Sequence, residues 1–295
     1  MRFRALLPLL MALTIFAAPD LARAQVAVAV SIRVAPPPLP VYAQPPLPGP
    51  GYIWTPGYWA YGPAGYYWVP GTWVLPPAVG LLWTPGYWGW SDGLYVWHAG
   101  YWGPRVGFYG GVDYGFGYIG VGYVGGYWAH GVFTYNRAVN NFGHVHITHV
   151  YNKTVVNNVH VTRVSFNGGP GGLAARPTAA EEAAAHDHHA PPNAPQIQHE
   201  HAASTNRAAW ASVNHGRPSV AATSRVGQFH GQGVVAARPV SEHAAPHPGP
   251  APHGPQPNAH PQGHPESRGE AHGPGPDHGG PGPDHGGQPG EDHHG

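Results

Sequence analysis

Residues 54–59 of the chain read WTPGYW, and the pattern returns as WVPGTW at 68–73, WTPGYW at 83–88 and WHAGYW at 97–102. The four copies begin 14, 15 and 14 residues apart. Repetition at a short fixed period is typical of architectures in which one unit is too small to bury its own apolar face. We therefore expect neighbouring copies to cover each other's aromatic side chains.

A fifth, degenerate copy, YVGGYW, occupies residues 123–128. The positions that define the five copies are the candidate binding surface, since exposed tryptophan faces can stack on sugar rings, although a structural role in the core is the stronger interpretation. These positions are Trp54, Gly57, Trp59, Trp68, Gly71, Trp73, Trp83, Gly86, Trp88, Trp97, Gly100, Trp102, Tyr123, Gly126 and Trp128.

The spacing within one copy predicts a small β-hairpin. Proline and glycine at the two central positions suit a type II turn, in which the glycine takes a positive φ. Such a turn would place Trp54 directly opposite Trp59. An isolated hairpin is only marginally stable, so the predicted fold is mainly β, a meander of short antiparallel aromatic hairpins that stack on each other.

The sequence around the repeats divides into further segments. Residues 25–50 include a proline-rich run that predicts an extended spacer, preceded by a short strand. Residues 51–136 hold the repeats and a stretch in which glycine alternates with aromatic residues. Residues 137–172 alternate valine and isoleucine with histidine and threonine, which predicts two strands, at 144–148 and 155–162. Residues 173–295 are rich in histidine, proline and glycine and are predicted to be largely disordered, with short helices near 178–188 and 204–214, the second begun by Ser204 and stopped at Gly216.

The first 24 residues predict a secretory signal peptide. Two arginines precede an apolar run, and ARA at 22–24 gives small residues at the positions that a signal peptidase reads, so cleavage is expected between Ala24 and Gln25. The apolar run is short for a membrane span. We expect an exported protein of the periplasm or cell envelope, without disulfides because the chain has no cysteine.

The repeat resembles the bacterial YXWGXW/WXXGXW repeat family. The segments NRAVNN at 136–141 and RVSFNGGPGG at 163–172 are also similar to segments that accompany such repeats, so the resemblance covers roughly residues 25–172. The fourth copy departs from the pattern at Ala99, and the fifth at Tyr123 and Gly125. The resemblance implies export and no catalytic residue.

Histidine is the main candidate metal ligand. Of 23 histidines, 17 follow residue 185. The candidate ligands for Zn, Cu or Ni are His186, His188, His189, His199 and His201, although a solvated low-complexity tail explains them better. A second cluster, His144, His146 and His149 with His160, has the spacing of a polar strand face and is a weaker metal candidate.

Catalysis and nucleic-acid binding have little support. Asp92 and Asp113 are the only carboxylates in residues 51–136, and no nucleophile elbow, P-loop or HExxH motif occurs. With 14 basic and 14 acidic residues, the chain shows no basic patch. We predict a non-enzymatic envelope protein whose partner is another envelope protein, a glycan, a membrane surface or a second copy of itself. A periplasmic metal-binding protein and an outer-membrane-associated protein are the alternatives.

Overall fold

The computed structural model describes residues 31–154 and 163–239. The predicted signal peptide with its Ala24–Gln25 cleavage site, His160, the predicted strand at 155–162 and the sequence from residue 240 onward lie outside the described residues. Strand accounts for 30% of the structure and helix for 12%, which confirms the predicted mainly β fold. No helix in the two described ranges has the length and apolar character to cross a membrane.

The described elements are mostly very short strands. Those before residue 104 are β1 (Ser31–Ile32), β2 (Ile53–Thr55), β3 (Tyr58–Gly62), β4 (Gly65–Val69), β5 (Gly71–Val74), β6 (Leu82–Thr84), β7 (Tyr87–Ser91), β8 (Leu94–His98) and β9 (Tyr101–Gly103). Those after it are β10 (Asp113–Gly115), β11 (Tyr118–Ile119), β12 (Gly126–Ala129), β13 (Val132–Asn136), β14 (Val150–Tyr151), β15 (Phe166–Asn167), β16 (Ala222–Thr223) and β17 (Val234–Val235). The helices are α1 (Ala179–Ala184), α2 (Ala194–Thr205) and α3 (Ala211–Asn214), with a 3-10 turn at Arg207–Ala209.

Strands β2 to β5 form one long two-stranded antiparallel ribbon, which we call ribbon 1. Trp54 faces Trp73, and Trp59 faces Trp68. The pairing register of β2 with β5 is the same as that of β3 with β4, so the two strands stay in step across the central Pro–Gly pairs. The ribbon is divided into shorter strands there because proline has no N–H for the hydrogen-bond ladder. The predicted Trp54–Trp59 pairing across a Pro–Gly turn is therefore wrong. Each motif is one arm of a ribbon, and the chain reverses between two motifs.

Strands β6 to β9 repeat this arrangement as ribbon 2. Trp83 faces Trp102, and Trp88 faces Trp97. The reversal lies at Asp92–Gly93, where φ is 50° and 84°. Two successive positive φ values are the signature of a type I′ turn, whose twist suits the flanking strands. The fourth motif keeps the same register although it lacks the proline.

The two ribbons share one aromatic core. In each of the four facing tryptophan pairs the ring centroids lie 5.2 Å apart. Trp88 Nε1 donates to Trp59 O at 2.7 Å, which joins the ribbons directly. The buried Tyr118 hydroxyl donates to Trp83 O at 2.9 Å and lies 3.3 Å from Trp54 O, the equivalent atom of the other ribbon.

The proline-rich segment packs on this core, so the predicted free spacer is wrong for residues 31–50. Leu47 is 1% exposed. Trp59 Nε1 donates to Pro38 O at 3.2 Å, and Trp73 Nε1 donates to Pro45 O at 3.0 Å. An extended proline-rich chain makes no internal hydrogen bonds, so its carbonyl groups are free to accept from buried indoles.

The glycine–aromatic stretch does not form one long strand. Gly110 and Gly111 have φ values of 76° and 69°, so the chain turns before β10 and β11, a two-stranded hairpin. The predicted strand at 144–148 is also wrong, because those residues form turns and irregular chain. In this region the side chain of the fully buried Asn136 replaces strand pairing as a hydrogen-bond partner of backbone carbonyl groups. Its Nδ2 donates to Val124 O at 2.9 Å and to Lys153 O at 3.0 Å.

Residues 173–239 also fold onto the ribbons, so the predicted start of the largely disordered region at residue 173 is wrong. Strand β16 runs parallel to β5, and Trp68 Nε1 donates to Ala221 O at 2.9 Å. Trp102 Nε1 donates to Gln196 Oε1 of α2 at 2.7 Å. Alanine side chains are small enough to let these segments approach the ribbons closely, and the indole donors hold them in place.

The helix predictions are partly confirmed. Helix α1 lies inside the predicted 178–188 and is capped by Thr178. The start predicted at Ser204 is wrong, because Ser204 lies near the end of α2 and its hydroxyl bonds His201 O. The predicted stop at Gly216 is confirmed, since α3 ends at Asn214 and the two residues after it, His215 and Gly216, both have positive φ.

Candidate functional site

The glycines and tryptophans of the motifs fit each other across each ribbon. A Cβ atom built on Gly57 would overlap Trp68 Cζ2 of the facing strand and would lie 2.7 Å from Gly71 N. A Cβ atom on Gly71 would lie 2.6 Å from Trp54 Cζ2. The first tryptophan of each motif therefore lies over the glycine of the facing motif.

Ribbon 2 shows the same reciprocal contact. A Cβ atom on Gly86 would lie 2.5 Å from Trp97 Cζ2, and one on Gly100 would lie 2.5 Å from Trp83 Cζ2. None of these four motif glycines is among the described residues with positive φ. The motif therefore needs glycine for the absence of a side chain and not for a left-handed backbone.

Most of the predicted repeat positions are in the core, which agrees with the stronger of the two interpretations and not with the binding surface. Of the eight tryptophans in the clean copies, seven are at most 6% exposed, and Trp97 is partly buried. These tryptophans are buried because the motifs pair with each other, so that the indole rings are covered by other aromatic rings and by the flanking segments. Sugar stacking on the seven buried tryptophans is excluded by their burial.

In the fifth copy an aromatic ring of the facing strand also lies over the motif glycine, but this ring belongs to a phenylalanine. A Cβ atom on Gly126 would lie 2.5 Å from the ring of Phe133, which faces Trp128 across β12 and β13. Trp128 is partly buried and donates to Leu81 O at 2.9 Å. Tyr123 packs on Tyr118 at 4.6 Å between ring centroids.

A surface groove lies beside the end of ribbon 1 and β13. Its volume is about 460 Å³. Its exposed lining includes three aliphatic side chains, Leu75, Val79 and Val132, which are 50%, 65% and 42% exposed, together with His146, Thr148 and His149. Of its aromatic lining, Phe133 and Tyr135 are closed at 3% and 1% exposed, whereas Trp128 is partly buried. No lysine, arginine, aspartate or glutamate lines this groove, so it offers an apolar surface next to the repeat core. This feature was missed by the sequence reasoning, because isolated valines outside the motif give no signal.

The five predicted metal-ligand histidines do not converge. His186, His188 and His201 are exposed, and the ring of His189 stacks on Tyr101 at 3.7 Å. Across the described ranges no group of three histidine or acidic side chains is placed to hold a metal ion. The exposed His144, His146 and His149 lie in the irregular chain before β14.

His199 has a structural role, which corrects its prediction as a ligand. It is 3% exposed. Its Nδ1 accepts from Gly227 N at 2.9 Å, so the proton lies on Nε2, which donates to Pro70 O at 2.8 Å. Burial lowers the pKa of His199 to about 4, and the bond to Pro70 opposes this only in part. The ring is therefore neutral near pH 7, and both nitrogens are occupied.

The carboxylates that the structure describes near the ribbons are mostly structural. Asp92 is exposed in the reversal of ribbon 2, and Asp113 Oδ1 accepts from Gly115 N at 3.0 Å. The buried Glu181 closes the capping box of α1 and accepts from Gly122 N at 3.2 Å. Asp187 forms a two-point ion pair with Arg105, whose guanidinium lowers the pKa of that exposed carboxyl. Glu200 lines a cavity between the two ribbons and α2.

Comparison with known proteins agrees with this geometry. The WXXGXW repeat is found in two copies, at residues 49–74 and 79–102. The first span contains ribbon 1 and the second contains ribbon 2. Neither a curated protein nor a solved structure matched the chain. The chain thus carries two WXXGXW repeats, and each repeat is one tryptophan ribbon made of two six-residue motifs.

Proposed function

We propose that this is an exported, non-enzymatic protein of the cell envelope that binds a partner protein through the groove beside ribbon 1. The observation that carries the proposal is the contrast between a closed aromatic core and an adjoining groove with three exposed aliphatic side chains. Contiguous exposed apolar surface on a protein marks an interaction site more often than a chance arrangement. Export is supported by the signal-peptide pattern of residues 1–24.

The lining of the groove favours an apolar protein segment over a glycan. Stacking on a sugar needs an exposed aromatic face; Phe133 and Tyr135 are closed, which leaves the partly buried Trp128 against three exposed aliphatic side chains. Leu75, Val79 and Val132 can instead pack against aliphatic or aromatic side chains of a partner. The lack of charged lining residues gives no basis for binding a charged segment.

Cell fractionation with matched variants tests the proposal. Envelopes are washed with alkaline carbonate, and the chain is compared with Val79→Asp and Val132→Asp variants. Val213→Asp is the control, because Val213 is 44% exposed but lies on α3 and does not line the groove. We expect the two groove variants to leave the washed envelope and the control to remain.

Two results would contradict the proposal. A chain found in the cytoplasm would remove the envelope role. Retention of the groove variants at the same level as Val213→Asp would show that the groove does not hold the partner.

A further inference from the structure

A second concavity lies where the centres of both ribbons meet helix α2. Its volume is about 90 Å³. It is lined by Thr72 and the Pro–Gly region of ribbon 1, by Gly86, Gly100 and two tryptophans of ribbon 2, and by Gln196, His199 and Glu200 of α2. It shares no lining residue with the groove beside ribbon 1. This cavity is therefore a separate site from the groove of the proposed function.

Glu200 places a negative charge at this cavity. The Tyr67 hydroxyl donates to Glu200 Oε1 at 3.4 Å. The pKa of Tyr58 is raised well above its ordinary value, first by burial and then by the charge of Glu200, so Tyr58 remains a donor. Within the two described ranges the one salt bridge is Arg105–Asp187, and it leaves the carboxylate of Glu200 without a cationic partner.

A buried hydroxyl at the same cavity has no partner. Thr72 is 1% exposed, and among the described residues its Oγ1 forms no hydrogen bond. Leaving a buried polar atom unpartnered destabilises a protein. In a cavity large enough for a small molecule, such an atom is explained by a guest that bonds to it.

Aromatic rings complete the wall. Tyr58, Trp83 and Trp97 line the cavity, and Trp97 and Tyr58 are partly exposed at its edge. The faces of tryptophan and tyrosine attract cations through the ring quadrupole. The nearby His199 adds no positive charge, because its ring is neutral near pH 7.

We infer that this cavity binds a small organic ammonium ion. The Glu200 carboxylate supplies the counter-charge, Thr72 Oγ1 accepts from an N–H of the ammonium group, and the aromatic rings contact the cation. An anion is disfavoured by Glu200, and a neutral apolar guest leaves both polar groups uncompensated. The cavity excludes ligands much larger than one ammonium headgroup.

The test is a titration of the full ¹⁵N-labelled chain with tetramethylammonium and methylammonium chloride, followed by the indole N–H signals of Trp83 and Trp97. Sodium chloride at equal ionic strength is the baseline, and tert-butanol is the uncharged guest of similar size. We expect saturable shifts at millimolar cation and none with tert-butanol. Glu200→Gln should weaken binding by about tenfold or more, since it removes the charge and keeps an acceptor for the Tyr67 hydroxyl.

Two control variants separate ligand binding from folding. Glu182→Gln removes an exposed carboxylate on α1 and should leave the affinity unchanged. Thr72→Val removes the unpartnered hydroxyl without changing the shape of the side chain, so it should weaken methylammonium binding while the urea midpoint is kept or raised. Any of three results would overturn the inference: equal shifts with tert-butanol, an unchanged cation affinity in Glu200→Gln, or no shift with any guest. The last result would mean that the cavity holds water only.

Discussion

Replacing Gly57 with alanine tests the central claim about the repeat. In the structure the new Cβ atom would overlap Trp68 Cζ2 and lie 2.7 Å from Gly71 N and 2.8 Å from Val69 O. Two of these three atoms belong to the backbone of the facing strand. The clash therefore cannot be relieved by a side-chain rotation and requires the strands of ribbon 1 to separate.

The expected loss of stability follows from two opposing terms. Overpacking of a close-packed interior costs about 1–3 kcal/mol, and the upper end applies here because backbone must move. Alanine also reduces the entropy of the unfolded chain, which stabilises the fold by about 0.4–1 kcal/mol. We therefore expect Gly57→Ala to lower the free energy of unfolding by about 2 kcal/mol. Gly49→Ala is the matched control, because its Cβ meets only Tyr52 Cε2 at 4.0 Å.

Urea unfolding followed by tryptophan fluorescence measures the effect. With an m value of about 2 kcal/mol/M, the midpoint of Gly57→Ala should fall by about 1 M, and that of Gly49→Ala should stay or rise slightly. Gly57→Asn distinguishes the two explanations for the glycine. Asparagine tolerates positive φ, so it would be milder than alanine in a type II turn, but its larger side chain should be at least as damaging here. An asparagine variant clearly more stable than the alanine variant would refute the close-packing argument.

Two further predictions concern segments outside the ribbons. His199 should make the free energy of unfolding fall by about 3 kcal/mol as the pH is lowered from about 6.5 to 4, because in this range the ring is protonated in the unfolded chain but stays neutral when buried. Urea unfolding at several pH values should show this loss in the unmodified chain and in His201→Gln. The loss should be absent in His199→Gln. Leu47→Ala should lower the free energy of unfolding by about 2–5 kcal/mol and Val41→Ala by less than about 1 kcal/mol, since Leu47 is 1% and Val41 is 42% exposed. Equal, small effects of both substitutions in urea unfolding would instead support a proline-rich segment that does not pack on the core.

The composition and period of the sequence were sufficient to predict the mainly β class and the repeat, but not which tryptophans face each other. A proline–glycine pair is compatible with a type II turn and also with an interruption inside a ribbon. The better signal was Asp92–Gly93, because Asp-Gly between alternating apolar residues is a strong marker of a two-residue hairpin. Once that reversal is assigned, the pairing of Trp88 with Trp97 follows by counting.

The flanking segments were mispredicted because their stability comes from tertiary hydrogen bonds. Helix α2 carries a single large apolar side chain, Ile197, and therefore shows no apolar stripe at helical spacing. Asn193 and Gln196 nevertheless form a capping box with a proline in the first turn, and that local pattern could have located the helix. Neither the cavity at Glu200 nor the groove at Val79 could have been found in this way, because both depend on residues far apart in the chain.

The hydrogen bonds of the indoles show why the ribbons need their flanks. Trp59 and Trp73 donate to the proline-rich segment, whereas Trp68 and Trp102 donate to residues beyond 190. Removing either flank would leave buried N–H groups unpaired at about 1–3 kcal/mol each, a large part of the 5–15 kcal/mol that stabilises a typical domain. The segments matched as WXXGXW repeats therefore form the centre of a folding unit and not the whole of it, and truncations should keep residues 31–239 together.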